Sequence, residues 1–265
     1  MKKILLMACF AVFCNISAKN QTKKAIVIGA SSGMGRQVAK LIAQEYEVGL
    51  ASRRLNLLES LQKEIPTKTY IKQIDVSKLE EAKTKLAELI EEMGGLDLIL
   101  ISVSSCIDTE FTKSWETDKK ILDVDLAGFL VMADVAVNFF EKQNSGHLIG
   151  ISSIDGLRGN ALCPVYSGAK AFVSTYLEGI RNYMIQNKIP VYVTDIIPGW
   201  VDNEKIEFSK QEGTYWVTST KKASEQIFNA IKNKKKKAYI TKRWQIIAWL
   251  QALLPDCIYN GIGGL

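Results

Sequence analysis

Histidine is almost absent: the 265-residue sequence holds one, His147. A metal site built on several imidazoles is thereby excluded, and a Ser-His-Asp triad would have a single candidate base. Cysteine is sparse as well. Cys9, Cys14, Cys106, Cys163 and Cys257 are scattered with no CxxC pair, which argues against a structural zinc site and a disulfide scaffold. No metal is expected. Extremes of composition are also missing. Hydrophobic residues make up 47% and charged residues 23%, which excludes a disordered tail protein or a collagen-like chain and leaves a globular protein with a full core.

Positive charge is scarce over most of the chain and abundant at its end. From Lys221 onward nine Lys and Arg face only Glu225 and Asp256, a local net of +7, so the other 220 residues carry −1 of the total +6. A protein that coats nucleic acid would not be charged in this way, and no nucleic-acid partner is expected. At the other end, Lys2 and Lys3 precede an apolar run from Ile4 to Cys14 and then Asn15-Ile16-Ser17-Ala18. The run is too short for the roughly 20 residues that span a bilayer. It fits the plan of a secretory signal cleaved after Ala18, or else an extension ahead of a domain that starts near Lys23. We divide the chain into a leader (1–22), a catalytic domain (23–241) and a C-terminal amphipathic segment (242–265). The expected location is cytoplasmic, with membrane association or export through the leader as alternatives.

From Lys24 short apolar runs alternate with helical patterns. Strands are predicted at 25–28, 47–51, 69–74, 96–102, 148–152, 191–197 and 238–240, and helices at 33–43, through Leu57 and Leu61, at 77–92, 121–140 and 165–186. Strands that are apolar throughout and separated by helices form a parallel sheet covered on both faces. The expected fold is α/β, a single doubly wound (Rossmann-type) domain with a mostly parallel seven-stranded sheet.

The first strand runs into Gly29-Ala30-Ser31-Ser32-Gly33-Met34-Gly35 and then a helix. Glycine at these positions permits a sharp turn, close backbone approach to a pyrophosphate and tight packing of helix on sheet, while the helix N-terminus offers N–H groups and positive dipole. Gly29, Ser31, Ser32, Gly33, Met34 and Gly35 are therefore candidate dinucleotide contacts, although the spacing is GxxxGxG rather than GxGxxG. The second strand ends in Ser52-Arg53-Arg54. A carboxylate there would select NAD; Arg53, helped by Arg54 and the two serine hydroxyls, would pair with a 2′-phosphate. NADP(H) is the expected cofactor, with NAD(H) left open.

Tyr166 and Lys170 lie four residues apart, one turn on one helix face. An ammonium beside a phenol favours the phenolate, which would bring a group of pKa about 10 into use for acid–base work. Ser153, thirteen residues earlier at the end of the fifth strand, is placed to hold a carbonyl oxygen.

With these residues in order, the chain resembles the short-chain dehydrogenase/reductase family over nearly all of 24–240. The matching pieces are the glycine loop, Asp75-Val76 after the third strand, Ser153, Tyr166-Ser167-Gly168-Ala169-Lys170, and Pro198-Gly199-Trp200-Val201 after the sixth strand. The resemblance implies that Asp75 and Val76 meet the adenine, Pro198 to Val201 line the nicotinamide pocket, Lys170 binds the nicotinamide ribose and tunes Tyr166, and Tyr166 exchanges the hydroxyl proton. It implies a small carbonyl or alcohol substrate and a homodimer or homotetramer. Three departures stand out. Ile101-Ser102-Val103-Ser104 replaces the family's Asn-Asn-Ala-Gly, Asp125 stands where a relay Asn is usual, and Asn203 follows Asp202 where Thr is usual. Asp125 is carried as a catalytic candidate able to hold a relay water. An oxidoreductase is expected; the alternative is a nucleotide-binding regulatory or scaffold protein without turnover.

Four further features carry weaker expectations. Glu204–Thr218 reads as a lid over the pocket, with Phe208, Tyr215 and Trp216 on it. Lys234–Lys237 reads as a solvated loop. Beyond it, Lys242 and Arg243 flank the apolar stripe Trp244, Ile246, Ile247, Trp249, Leu250, Leu253 and Leu254, which either packs on the body or another subunit or makes peripheral contact with a membrane. His147 reads as a surface or structural residue.

Overall fold

The inner strands are apolar along most of their length, and the helices between successive strands of the sheet return the chain to the same end of it, so the strands stack in parallel. In the computed structural model, which describes residues 22–105, 114–202 and 215–262, the sheet is built from β1 (Lys24–Ile28), β2 (Glu47–Ser52), β3 (Thr69–Gln73), β4 (Leu98–Ile101), β5 (Gly146–Ile151), β6 (Val191–Pro198) and, after two short strands described below, β9 (Lys237–Ile240). The order is β3-β2-β1-β4-β5-β6-β9, parallel throughout, with Ile26 opposite both Gly49 and Ile99. Seven strands of this kind are what the sequence pattern predicted. Two short strands were not anticipated: β7 (Val201–Asp202) and β8 (Thr218–Ser219) form their own parallel pair.

Helices α1 (Gly33–Ile42), α2 (Leu55–Glu64) and α7 (Thr220–Lys232) cover one face, where Val38, Ile42, Leu58, Leu61 and Ile227 are buried. On the other lie α3 (Leu79–Met93), α5 (Phe129–Gln143) and α6 (Pro164–Gln186), which bury Leu86, Phe129, Phe140, Val173 and Leu177. Gly94, with φ +72°, closes α3 in the left-handed region, as the Gly-Gly pair in the sequence foretold. The helix expected at 121–140 is longer and irregular. It starts as α4 (Trp115–Ile121), widens into a π-helical stretch at Leu122–Gly128 and continues as α5. The widened turn carries Asp125, and such turns recur at functional sites.

His147 is buried, which removes the surface reading. β5 lies inside the sheet between β4 and β6, and its residues from His147 to Ile151 are all buried. The imidazole Nε2 lies 2.8 Å from Thr194 Oγ1, and that hydroxyl donates to the Lys235 carbonyl, so Nε2 carries the hydrogen. Burial, then the Lys234 charge, lowers the imidazole pKa to about 4. His147 is a neutral structural group.

The C-terminal segment folds onto the body as α8 (Trp244–Leu253) and α9 (Asp256–Ile262). Trp244 is buried against Gly199, where a Cβ would overlap the indole. Arg158 fastens the junction of the two helices by donating to the carbonyls of Gln251 (3.0 Å) and Leu254 (2.7 Å) and to Asp256 (2.5 Å). The opposite face of α8 (Ile246, Trp249, Leu250, Leu253) is exposed. Of the lysines expected in a loop, Lys237 opens β9 and pairs with Glu178. No described helix is long and apolar enough to cross a membrane. The leader, Cys106, Asn203 and most of the expected lid lie outside the described residues.

Candidate active site

The chain leaves β1 toward one side of the sheet and β4 toward the other, and the carboxyl ends of these two strands meet at the reversal. Gly29 makes the meeting possible: its φ is +87°, and a Cβ there would overlap the carbonyl oxygen of Ser102 after β4. Gly33, φ +56°, opens α1, and a Cβ on it would meet nothing within 4 Å. Ser32, the N-cap residue, makes no side-chain capping bond; its hydroxyl and that of Ser31 accept from Arg54 Nη2 at 2.6 and 2.9 Å. An open, uncapped helix start beside a guanidinium and two hydroxyls is a cradle that phosphate oxygens would fill, so the residues fit a phosphorylated dinucleotide. Arg53 and Arg54 are both exposed, but Arg54 is the guanidinium on the loop, while the Arg53 carbonyl accepts from Gln73. Met34 packs partly buried on the apolar cluster behind α1.

Asp75 and Val76 follow β3. Asp75 Oδ1 accepts from the Ser77 amide and hydroxyl, and Val76 is buried against Gly128 of the π-helical stretch. Pro198 ends β6 and Val201 lies in β7, both buried, on either side of the Gly199–Trp244 contact.

Ser153 leaves β5 and caps a 3₁₀ turn (Ile154–Gly156). Its hydroxyl accepts from the Asp155 amide and donates to Asp155 Oδ2, each at 3.2 Å, and acts on the Tyr166 phenol. Pro164 starts α6 at a position where its missing N–H costs nothing, and the helix then carries Tyr166 and Lys170 on adjacent turns. The structure thus brings together Ser153, Tyr166, Lys170 and Asp125, which are spread over 46 residues of sequence.

Their electrostatics differ from the expectation. Lys170 Nζ is 3.0 Å from Asp125 Oδ1 in a pair whose side chains are 3% and 0% exposed, and it also approaches the carbonyls of Ile151 (3.3 Å) and Val103 (3.4 Å). It lies 5.4 Å from the centre of the Tyr166 ring. Burial pushes the Tyr166 phenol above the ordinary tyrosine range, and Asp125 and then Asp155 push it further, while Ser153 works the other way. The Asp125 carboxylate, in contact with that ammonium, opposes its pull on the phenol. Asp125 is held on both oxygens: Oδ2 accepts from the Ser105 amide (2.7 Å) and hydroxyl (2.6 Å), and Oδ1 faces the ammonium.

Three residues of this arrangement escaped the sequence reading. Ser105 ties the unusual wall after β4 to the unusual Asp125. Asp155, whose carboxyl is raised by burial against the opposing bonds from Asn160 and Ser153, stands beside the two hydroxyls. Arg158 links the same loop to the C-terminal helices. A polar residue two or five positions after Ser153 was the only signal for the last two. Cys163, the N-cap residue of α6, is half-buried, and burial followed by Asp155 pushes its thiol up to about 11.

Known proteins resemble the chain in sequence and in fold. Residues 23–213 match the short chain dehydrogenase family. An "Uncharacterized oxidoreductase" of Myxococcus xanthus (strain DK1622) is 33% identical over 192 residues, 71% of this chain and 75% of that one. One from Staphylococcus aureus (strain MRSA252) is 33% identical over 184 residues, 68% and 78% of the two chains. The structure described as "ElxO with NADP Bound" superposes with a TM-score of 0.73 at 18% identity, covering 83% of this chain and 97% of the other, and shares the fold. With its glycine loop, its parallel sheet and its serine–tyrosine–lysine group in place, this chain belongs to the short-chain dehydrogenase family of nicotinamide-dependent oxidoreductases.

Proposed function

We propose that the protein is an NADP(H)-dependent oxidoreductase that interconverts a carbonyl and an alcohol on a small molecule. The observation that carries this reading is the grouping of Ser153 at the end of β5 with Tyr166 and Lys170 on α6, set at the same sheet edge as the start of α1. When bound, the nicotinamide supplies or accepts the hydride at the carbonyl carbon. The rest falls to the protein. The Gly29–Gly35 backbone holds the pyrophosphate; Arg54, Ser31 and Ser32, with Arg53 alongside, take the 2′-phosphate; Asp75 and Val76 border the adenine. Pro198 and Val201 wall the nicotinamide side, and Lys170 reaches the ribose. Ser153 donates to the substrate oxygen, and Tyr166 gives that oxygen its proton, or removes it in the reverse direction. NADP in the ElxO structure is in keeping with the phosphate assignment.

A panel of aldehydes and ketones with purified protein and NADPH tests the reading, by cofactor oxidation. The burial of Lys170 against Asp125 favours a second reading, a nucleotide-binding protein without turnover; tight NADPH binding with no oxidation on any compound would establish it. The phosphate assignment has its own measurement. Arg54→Ala removes a charge-assisted contact and is expected to weaken NADPH binding about 10–100-fold with NADH binding unchanged. Equal losses for both cofactors would refute it.

The exposed face of α8 we assign to peripheral contact with an anionic membrane surface. Ile246, Trp249, Leu250 and Leu253 follow i, i+3, i+4, i+7 spacing, next to Lys242, Arg243 and the lysines before β9. Wild type is expected to co-sediment with vesicles containing an acidic phospholipid, and the doubly substituted Trp249→Ser, Leu253→Ser protein to stay in the supernatant. Equal partition of the two ends the assignment.

A further inference from the structure

Asp125 is a carboxylate at the centre of the site, fully enclosed, whose two oxygens face different groups. Oδ2 is anchored by the amide and hydroxyl of Ser105, and Oδ1 has no aligned hydrogen-bond donor among the described residues, so its compensation is the Lys170 ammonium at 3.0 Å. The π-helical turn delivers the carboxylate at this depth, and the Ile151 and Val103 carbonyls add partial negative charge around the same ammonium. A lysine surrounded in this way has little positive field left for the phenol one turn away on its own helix.

We propose that Asp125 is a positioning residue that holds Lys170 in a buried ion pair and thereby keeps the ammonium from drawing Tyr166 toward the phenolate, so that Tyr166 rests as a neutral phenol. The inference rests on Tyr166 being the proton-exchanging group. In reduction the carbonyl carbon gains the hydride, the C=O π pair moves to oxygen, and that oxygen takes the proton as the O–H bond of Tyr166 breaks; the electron pair of that bond stays on the tyrosine as phenolate, which regains a proton from solvent. A carboxylate that cancels the nearby ammonium makes the phenol the resting form. The charged and titratable groups that face Tyr166 are Asp125 from the π-helical turn, Asp155 from the 3₁₀ turn, the Cys163 thiol at the start of α6, and Lys170 on α6 itself. Three of these four disfavour the phenolate, which agrees with the direction in which the phenol is displaced.

The test is an ultraviolet titration of phenolate on the full chain, taken as wild type minus Tyr166→Phe so that the other tyrosines cancel. Tyr166 in wild type is expected to ionise above the ordinary tyrosine range, and in Asp125→Asn to ionise about one pH unit lower or more, since the unopposed ammonium then acts on it. With a carbonyl substrate from the panel, the alkaline fall of the reductive rate moves down by the same interval. A folded Asp125→Asn protein with the wild-type midpoint overturns the proposal. Should that variant not fold, the wild-type titration decides, because a midpoint below the ordinary tyrosine range shows the ammonium prevailing over Asp125 and also overturns it. Full turnover by Tyr166→Phe would instead remove the reading on which the proposal rests, whatever the titration shows.

Discussion

Tyr166→Phe is expected to lower kcat for reduction of any carbonyl found in the panel by about 10²–10⁴-fold, the range that a positioned proton donor contributes. The substitution deletes one oxygen and leaves the ring, so the walls of the pocket and the start of α6 stay as they are. Ser153 loses the phenol oxygen but keeps Asp155, whose amide and carboxyl both contact the serine hydroxyl. NADPH titration of the variant should therefore give nearly the wild-type dissociation constant, and its melting temperature should change little. The pattern separates chemistry from binding: a large fall in kcat with KM and cofactor affinity retained marks an interaction made in the transition state. Retained turnover would show that the proton comes from elsewhere, with Asp155, which contacts the Ser153 hydroxyl, the carboxyl to examine.

Trp244→Ala should have the largest effect on stability. The indole is 1% exposed and sits among Trp200 (5.6 Å, edge-on), Tyr215 (5.5 Å, stacked) and Trp216 (5.9 Å, edge-on). Truncating a buried tryptophan to alanine costs about 3–5 kcal/mol, because transfer energy is lost and a cavity is left. For a domain of this size that corresponds to a fall in Tm of ~10 °C. The indole N–H has no hydrogen-bond partner among the described residues, so the expected loss is one of packing and not of a hydrogen bond. Trp244 anchors α8 to the loop after β6, so the damage should begin at the C-terminal segment. Trypsin is expected to cut after Lys242 and Arg243 sooner in the variant than in wild type. Unchanged melting and unchanged cleavage would mean that Arg158, with its three bonds to the Gln251–Asp256 stretch, holds the segment alone.

These two results bear on one piece of the molecule. Ile154 packs with Trp244, and Arg158 follows four residues later, in the loop that runs from Ser153 to Tyr166. The C-terminal helices therefore brace the segment that carries the serine and leads to the tyrosine. A weakened Trp244 contact is expected to reach the site through that loop.

The parallel sheet was legible in the sequence because its signals are local. Runs such as Ala25-Ile26-Val27-Ile28 and Leu98-Ile99-Leu100-Ile101 are apolar on both faces, and glycines mark the turn after β1 and the end of α3. The residue types of the site, Ser153, Tyr166 and Lys170, could be read in the same way, since four residues on a helix is one turn wherever that helix packs. What the lysine does there depended on a residue 45 positions earlier. The pairing of Lys170 with Asp125, its anchoring by Ser105, the placing of Arg54 on the serines of the loop and the seating of Trp244 on Gly199 are all contacts between distant segments. The charge state of a buried group follows from the sum of fields and desolvation around it, and those are set by packing in three dimensions. Sequence alone supplied the parts and the sheet that orders them, and only the folded chain decided which charge faces which.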